Sequence, residues 1–211
     1  FIKTLRDLNM TGDQVNEIEG IFSGTLSYLF NNYDGELEFS KMVADAREKG
    51  FTEPDPRDDL SGMDVARKLV ILAREMNLSI GISDVSVESL VPEKLRDISV
   101  DDYLEQLSEY DEAMNLRLAE ARSNNKVLRY IAKLDSNGKA SVKLDAISID
   151  HPFAELKGSE NVIKYMTDRY SDYPLVHKGP GAGAEVTAAG IFSDLLMVVQ
   201  HIDRFNPFIT E

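Results

Sequence analysis

The stretch that decides the fold occupies residues 127–147 and reads VLRYIAKLDSNGKASVKLDAI. Two runs rich in aliphatic residues, 127–134 and 140–147, flank a polar segment that contains Asn137 and Gly138. An Asn-Gly pair between two such runs is the pattern of a β-hairpin, because a tight hairpin turn needs positive φ angles. The sequence therefore predicts an antiparallel strand pair here.

Apolar residues on both sides of this hairpin predict the remaining elements. Short apolar runs predict further strands at residues 15–22, 162–167 and 174–177. Apolar residues at helical spacing predict helices at 26–30, 39–46, 63–76, 100–122 (one helix or a pair) and 186–201. Because helices precede and follow a strand-rich block, the sequence predicts an α+β fold, with a mostly antiparallel or mixed sheet and helices packed on one face.

The ends of the second and third of these helices are predicted from their capping residues. Ser40 is predicted to cap the second helix, and Gly50 to end it in a left-handed conformation. Two prolines in the segment 52–60 predict that it forms no regular helix. Ser61 and Asp64, three residues apart, predict a capping box at the start of the third helix.

The composition excludes several classes of protein. The chain has 211 residues, of which 43% are hydrophobic, so it can bury the core of one sizeable domain or two small ones. Its longest apolar runs are far too short to span a membrane. A net charge of −14 disfavours binding to nucleic acid and anionic lipid and favours a cationic small molecule, although solubility explains the charge equally well. Cysteine is absent, which excludes disulfides and favours a cytoplasmic location.

A rigid acidic loop is the strongest candidate for a binding site. Within residues 50–68 lie five carboxylates, those of Glu53, Asp55, Asp58, Asp59 and Asp64. Like charges repel one another on a loop stiffened by two prolines, so we expect a cationic ligand to offset them. An acidic helix N-terminus, favoured by the helix dipole, is the alternative, and it explains Glu53 poorly.

Asp64 and Lys68 are four residues apart on a predicted helix and therefore share one face. A lysine held by an acid can protonate an oxygen on which negative charge develops, provided that its neighbours set its position and pKa. An exposed ion pair with no part in chemistry is the alternative. The spacing alone leaves both interpretations open.

Two other features carry weaker signals. The glycine-rich segment 179–184 precedes a helix and would let a backbone approach a ligand closely, but it matches neither a P-loop nor a complete dinucleotide fingerprint. A turn that packs against another helix is the alternative. His151, His177 and His201 have no partner at metal-ligand spacing, so we interpret them as structural and predict no metal site.

Three stretches of the chain resemble the homoserine dehydrogenase family. Residues 46–68 read AREKGFTEPDPRDDLSGMDVARK, residues 21–28 read IFSGTLSY, and residues 181–190 read GAGAEVTAAG. These stretches extend over most of the chain in the order that the family has them. Residues 127–130, VLRY, are most similar to the dehydrogenase half of bifunctional aspartokinase–homoserine dehydrogenases.

The resemblance implies an enzyme that interconverts L-homoserine and L-aspartate 4-semialdehyde, with NAD or NADP as cofactor, on the route to threonine and methionine. It implies that Lys68 is the proton donor. The substrate-binding residues that it implies are Glu53, Asp59, Asp64, Gly24 and Thr25. The cofactor-binding residues that it implies are Gly50 and Gly181.

The resemblance also implies a division of the chain. We expect residues 1–20 to form a junction after a nucleotide-binding domain and residues 21–178 to form the substrate-binding, catalytic and dimerisation domain. We expect residues 179–211 to form a glycine-rich loop and a C-terminal helix that returns toward the nucleotide-binding domain.

The resemblance also leads to expectations about the whole protein. The first residue is Phe1 and the chain lacks a dinucleotide fingerprint, so we expect it to begin inside a longer chain and to be inactive alone. We expect a homodimer, and the resemblance to bifunctional enzymes implies that an aspartokinase domain can belong to the same parent chain. A regulatory module that binds an amino acid without turning it over is the alternative to an enzyme.

Overall fold

The computed structural model describes residues 1–205, so residues 206–211 of the predicted C-terminal segment lie outside the described residues. One six-stranded sheet organises the fold, in the order β2-β4-β3-β1-β5-β6. Its strands are β1 (Val15–Ile21), β2 (Val85–Val87), β3 (Lys126–Asp135), β4 (Ala140–Ser148), β5 (Glu160–Thr167) and β6 (Leu175–Pro180). All neighbouring strands are antiparallel except β2 and β4, which are parallel. The sheet is therefore mixed, and the predicted α+β class is confirmed.

The central hairpin is confirmed, but its turn is wider than a two-residue one. Strands β3 and β4 pair from Lys126 with Ser148 to Leu134 with Ala140. Gly138 has a φ of 83°, whereas Asn137 is not among the residues with positive φ. The carboxylate of Asp135 accepts hydrogen bonds from the backbone N–H groups of Asn137 and Lys139, at 2.9 and 3.0 Å. An aspartate therefore organises the turn together with the glycine.

Within residues 1–205, eight α-helices precede, separate and follow the strands. They are α1 (Ile2–Met10), α2 (Gly24–Asn32), α3 (Phe39–Glu48), α4 (Pro56–Leu60), α5 (Met63–Glu75), α6 (Val100–Gln106), α7 (Asp111–Ser123) and α8 (Ala184–Phe205). A short 3₁₀ turn, Leu107–Tyr110, separates α6 from α7, so the charged segment at 100–122 is a pair of helices. No helix in the described part of the chain is long and apolar enough to cross a membrane.

The main core lies between one face of the sheet and helices α1 to α7. From β3 it takes every second residue, namely Leu128, Tyr130, Ala132 and Leu134, as expected for a strand with one face toward the helices. A smaller apolar cluster on the opposite face includes Ile21, Ile131, Ile147, Phe153, Leu156 and Val162. Helix packing on one face is thus confirmed for α1 to α7, since in the described part of the chain the non-helical segment 149–159 covers the other side with Phe153 and Leu156.

The guanidinium of Arg129 fastens that segment to the sheet. It donates hydrogen bonds to the carbonyls of Phe153 and Ala154 at 3.1 and 2.8 Å, and to Phe30 near the end of α2 at 2.7 Å. Burial lowers the pKa of Arg129 to about 10. Carbonyl oxygens, including one at the negative end of a helix, satisfy this buried cation.

Helix α8 packs differently from the other helices. Apolar side chains occur all around it and remain largely exposed, among them Ile191, Phe192, Leu195, Val198 and Ile202. The ammonium of Lys3 on α1 lies 2.6 Å from the Ser193 hydroxyl and 3.2 Å from the Asp194 carboxylate. Exposed apolar patches of this kind mark surfaces that contact another domain or chain.

Two of the predicted helix starts are wrong. Glu38, not Ser40, occupies the cap position of α3, because Ser40 donates through its N–H and hydroxyl to both oxygens of Asp111, at 2.7 and 2.6 Å. At the start of α5 no capping box forms, since the cap residue is Gly62, with a φ of 73°. The Ser61 hydroxyl oxygen accepts from the N–H of Met63 at 3.3 Å.

The proline-rich segment also differs from its prediction, because it contains helix α4. Pro56 occupies the first turn, where the missing N–H has no consequence. The Asp55 carboxylate caps the helix by accepting from the N–H of Arg57 at 3.0 Å. Gly50 does end α3 with a φ of 74°, as predicted.

Replacing Gly62 with alanine tests how tightly the α4–α5 corner packs on the sheet. A Cβ atom at this position would lie 1.9 Å from the hydroxyl oxygen of Tyr130, in addition to the strain of a left-handed alanine. Gly12 has a similar φ of 75° but nothing within 4 Å of its Cβ position, so Gly12→Ala is the matched control. We expect Gly62→Ala to lower the free energy of unfolding by about 1–3 kcal/mol more than Gly12→Ala, measured by urea denaturation. Equal losses would contradict this packing.

Candidate active site

The carboxylate of Asp59, at the end of α4, joins three segments of the chain. Its Oδ1 atom lies 2.8 Å from the hydroxyl of Thr25, in the first turn of α2. Its Oδ2 atom accepts from the backbone N–H of Glu53 at 2.8 Å. The Thr25 hydroxyl also lies 2.7 Å from the carbonyl oxygen of Phe51. Three of the predicted substrate-binding residues therefore form one connected group, which we call the Asp59 cluster (Thr25, Glu53 and Asp59).

Partial burial raises the pKa of Asp59 above its usual value, and the negative charges of Asp58 and Asp64 act in the same direction. The hydrogen bonds from Glu53 and Thr25 only partly offset the burial. A bound cation would stabilise the ionised form of this carboxylate. The electrostatics of the cluster are therefore suited to an ammonium group.

Asp55 has a structural part in the loop. It pairs with Arg57 at 2.8 Å, and this interaction lowers the pKa of the Asp55 carboxyl group. The Arg57 guanidinium lies over the ring of Tyr103 at 5.3 Å and donates to three backbone carbonyls, those of Leu95, Arg96 and Ile98. These contacts fix the acidic loop against the segment that leads into α6. The side chains of Glu53 and Asp58, by contrast, are exposed.

Lys68 and Asp64 do share a face of α5, with 2.7 Å between Nζ and Oδ2. The ammonium also donates to the carbonyl oxygen of Phe22 at 2.9 Å. Its direct partners are therefore Asp64 and the Phe22 carbonyl rather than Glu53 or Asp59. The chain continues from Phe22 to Thr25 within three residues, so the lysine lies one short segment away from the Asp59 cluster.

A cleft of about 760 Å³ lies between α1, α5 and α8 and contains Lys68 and Gly181 in its lining. Phe22, Ile71 and Leu72 supply apolar surface in the same cleft. A flat aromatic ring with a nearby polar group would suit such a lining. We call this space the Lys68 cleft.

The other two predicted glycines lie outside the cleft lining. Gly50 follows α3 and directly precedes Phe51, whose carbonyl contacts Thr25, so it lies beside the Asp59 cluster. A Cβ atom on Gly50 would meet nothing within 4 Å. Gly24 begins α2, where the hydroxyl oxygen of Ser23 accepts from the N–H of Leu26 at 3.2 Å. The predicted site residues thus form two neighbouring groups, around Asp59 and around Lys68.

A model of the homoserine dehydrogenase family matches residues 1–196 of the chain. The chain belongs to the homoserine dehydrogenase family. A bifunctional aspartokinase/homoserine dehydrogenase of Zea mays is 52% identical over 204 residues, which cover 96% of this chain and 22% of the relative. The homoserine dehydrogenase of Saccharomyces cerevisiae is 46% identical over 209 residues, covering 96% of this chain and 58% of the relative.

A solved structure supports the fold of this homoserine dehydrogenase region. A Candida auris protein of unknown function has a TM-score of 0.91 and 45% sequence identity, and the match covers 95% of this chain and 57% of that one. The chain therefore spans between about a fifth and three fifths of the proteins that it matches. Members of the family are oxidoreductases that use a nicotinamide cofactor.

A buried charge cluster on the sheet face opposite the main core was missed in the sequence. Glu19 on β1 is 3% exposed and lies 2.9 Å from the ammonium of Lys133, 3.2 Å from the imidazole of His151 and within ion-pair distance of Lys164. Strand pairing places Lys133 and Lys164 on either side of Glu19, and this register cannot be read from one strand alone.

Among the described side chains of residues 1–205, no group of three or more aspartate, glutamate, histidine or cysteine residues is arranged to hold a metal ion.

The position of Asn161 was also missed. It is the second residue of β5, is 6% exposed and contributes to the lining of the Lys68 cleft. A single asparagine in an apolar strand carries no sequence pattern that marks it as functional. Only the pairing of β5 with β1 and β6 brings it to the cleft.

Replacing Glu19 tests the energetic role of the buried charge cluster. Burial alone would raise the pKa of Glu19, but hydrogen bonds from Lys164 and Lys133 outweigh burial and lower it below the usual value of 4.5. A lowered pKa stabilises the fold at neutral pH, and this stabilisation is lost as the pH falls below 4.5 through the folded-state value. We expect Glu19→Gln to lower the free energy of unfolding by about 1–3 kcal/mol at pH 7, with a smaller loss in acid.

Glu17→Gln is the control for this measurement, because Glu17 is on the same strand, is 42% exposed and lies 3.8 Å from Lys164. We expect it to change the free energy of unfolding by less than about 1 kcal/mol. Urea denaturation at several pH values separates the two variants. A loss on Glu19→Gln that stays constant from pH 7 to pH 3 would contradict the linkage.

Proposed function

We propose that the chain is the substrate-binding and catalytic region of a homoserine dehydrogenase, which interconverts L-homoserine and L-aspartate 4-semialdehyde with NAD or NADP. One observation carries this proposal beyond family membership. The ammonium of Lys68, held at 2.7 Å from Asp64 and 2.9 Å from the Phe22 carbonyl, lines the same cleft as the glycine-rich segment at Gly181. A positioned proton donor therefore lies beside a space suited to a redox cofactor.

Lys68 acts on the oxygen that changes its state during the reaction. When bound, the cofactor supplies or accepts the hydride at the carbon that bears this oxygen. In the direction of aldehyde reduction, Nζ of Lys68 donates a proton to the oxygen as negative charge develops, and an alcohol results. In the reverse direction the same nitrogen accepts the hydroxyl proton. Asp64 and the Phe22 carbonyl fix the position and the direction of the ammonium group.

The Asp59 cluster supports substrate binding in this proposal. The Glu53 carboxylate is exposed and has no hydrogen-bond partner among residues 1–205, whereas its backbone N–H is fixed by Asp59. Glu53 is therefore positioned to bind the substrate ammonium, with the charges of Asp59 and Asp64 adding to the attraction. Thr25 and Gly24, at the N-terminus of α2, lie where backbone N–H groups would favour the substrate carboxylate.

The cofactor is proposed to bind across a second domain. Gly181, in the Lys68 cleft, would let the backbone approach the nicotinamide end, and Gly50 would approach another part of the dinucleotide. We propose that residues 1–20 join a nucleotide-binding domain, that 21–178 form the substrate domain, and that 179–211 return toward the first. The exposed apolar side chains of α8 support this division, because such a helix needs a covering surface.

The remaining proposals concern partners and location. We propose a homodimer, since β6 is an edge strand of the sheet and unpaired edges favour pairing with another chain. The maize relative's name includes an aspartokinase, so an aspartokinase in the same polypeptide is a further proposal. We also propose a cytoplasmic location, because the chain contains no cysteine. The maize relative, in contrast, is named as chloroplastic.

Activity measurements test the division of labour between the two domains. We expect the 211-residue chain to show no appreciable oxidation of L-homoserine with NAD or NADP, because it lacks a dinucleotide fingerprint. The second protein is the Saccharomyces cerevisiae relative in which this chain replaces the matched region. We call this protein the chimera. Cofactor reduction followed by absorbance should appear in the chimera. Robust turnover by the chain alone would contradict the proposed division.

Replacing Lys68 in the chimera tests its assignment as proton donor. We expect Lys68→Ala to lower kcat by roughly 10² to 10⁴-fold, the usual range for a general acid–base group. Glu53→Ala should mainly raise KM for homoserine, because the ammonium contact exists in both the ground and transition states.

Lys49, which directly follows α3, provides a matched control, since it forms the same kind of exposed pair with Asp45 of α3, four residues earlier and at 2.7 Å. We expect Lys49→Ala to leave kcat within about twofold of the unsubstituted chimera, as for a surface ion pair. Near-normal turnover after Lys68→Ala would show that the Asp64–Lys68 pair is likewise only a surface contact.

A further inference from the structure

Asn161 carries a buried amide that the fold itself does not satisfy. Its side chain is 6% exposed, and its Oδ1 atom has no hydrogen-bond partner within residues 1–205. The Nδ2 atom likewise makes no hydrogen bond within this part of the chain. Buried polar groups in folded proteins are nearly always hydrogen-bonded, so an unpaired amide in a cleft indicates a missing partner.

The location of the amide identifies the cleft that this partner would occupy. A Cβ atom on Gly181 would lie 1.9 Å from Nδ2 and 2.5 Å from Cγ of Asn161, so the amide lies directly against the glycine backbone. The pairing of Ile21 with Val162 places Asn161 beside Phe22, whose carbonyl accepts the hydrogen bond from Lys68. All four of these residues, Asn161, Gly181, Phe22 and Lys68, line the Lys68 cleft.

Two other unpaired buried atoms in the described part of the chain provide a contrast. The Oδ1 atom of Asn31 lacks a partner, but its Nδ2 atom donates to the Ser27 hydroxyl at 3.1 Å and to the Gly158 carbonyl at 2.8 Å. The Tyr103 hydroxyl is enclosed in the core with no exposed surface. Neither residue lines the cleft, so only Asn161 joins an unpaired amide to a ligand-sized space.

We propose that Asn161 binds the carboxamide group of the nicotinamide ring, with Oδ1 accepting a hydrogen bond from the carboxamide N–H group and Nδ2 donating one to the carboxamide oxygen. This inference rests on the proposed function, because it assumes that the cleft holds the cofactor. Its effect is to fix the rotation of the ring, so that one ring face is presented to the substrate. Asn161 is then a cofactor-positioning residue next to the proton donor.

The chemistry of the cleft favours the carboxamide over the substrate. A neutral amide is a weaker partner for an ammonium group than the nearby carboxylates of Glu53 and Asp64. Phe22, Ile71 and Leu72 offer apolar surface suited to a planar ring, whereas a small charged amino acid gains little from it. Gly181 leaves no side chain between the amide and the ring.

The test measures dissociation constants of the chimera for the reduced dinucleotide and for its thionicotinamide analogue, by ligand fluorescence or equilibrium dialysis. Sulfur accepts hydrogen bonds more weakly than oxygen, so the unsubstituted chimera should bind the natural cofactor more tightly. We expect Asn161→Ala to weaken binding of the natural cofactor by about ten- to a hundredfold, as for two lost hydrogen bonds, and to remove the preference for oxygen over sulfur. KM for homoserine at saturating cofactor should change by less than about twofold.

Two further variants keep the result interpretable. Asn161→Asp has nearly the same shape but no N–H donor, so it should also lose the preference even if the alanine variant folds poorly. Asn31→Ala removes the other asparagine with an unpaired oxygen, away from the cleft, and should leave both dissociation constants unchanged.

The outcomes separate this inference from the proposed function. Normal cofactor binding with an unchanged oxygen-over-sulfur preference in Asn161→Ala and Asn161→Asp would overturn the assignment of Asn161 alone. An effect confined to KM for homoserine would likewise overturn it and assign the amide to the substrate. Failure of the unsubstituted chimera to bind any nicotinamide dinucleotide would overturn the proposed function, and this inference with it.

Discussion

The carboxylate of Asp59 is the constraint on which the proposed site depends. Through two hydrogen bonds of 2.8 Å it fixes the start of α2 at Thr25 and the acidic loop at Glu53. Partial burial raises its pKa, so the fold holds an incompletely compensated acid at the point where these segments meet. Asp55 and Arg57 support the same arrangement from behind, by fixing the loop to the segment before α6. The local fold is thus organised around a position that a cationic ligand would stabilise.

The sequence predicted those parts of the fold that depend on local periodicity and turn chemistry. The hairpin at 127–147 and the left-handed end of α3 at Gly50 are confirmed, because each is determined by neighbouring residues. Ser40 was assigned wrongly because its hydroxyl finds a tertiary partner, Asp111, which is 71 residues away. Propensity describes what a residue prefers locally, and a buried carboxylate can override that preference.

Much of the candidate site followed from the resemblance, whereas its geometry required the structure. The spacing of Asp64 and Lys68 predicted a shared helix face, but only the fold shows that the Phe22 carbonyl is the second partner of the lysine. Asn161 and Glu19 carry no pattern in the sequence, since their neighbours come from other strands. Residues of this kind become visible only through the register of the sheet.

The distribution of polar and apolar surface indicates how the chain would work within a larger protein. Helix α8 exposes apolar side chains along its length, and Lys3 on α1 forms a hydrogen bond and an ion pair with it. The Lys68 cleft opens between these two helices and α5. A domain covering α8 would therefore also approach the cleft, which agrees with a cofactor shared between two domains.

A crystal structure of the chimera with L-homoserine and an oxidised dinucleotide analogue that cannot accept hydride tests the central claim most directly. The account predicts the substrate ammonium within ion-pair distance of the Glu53 carboxylate and the substrate hydroxyl within hydrogen-bond distance of Nζ of Lys68. Homoserine bound away from the Asp59 cluster, or with its hydroxyl turned from Lys68, would contradict it.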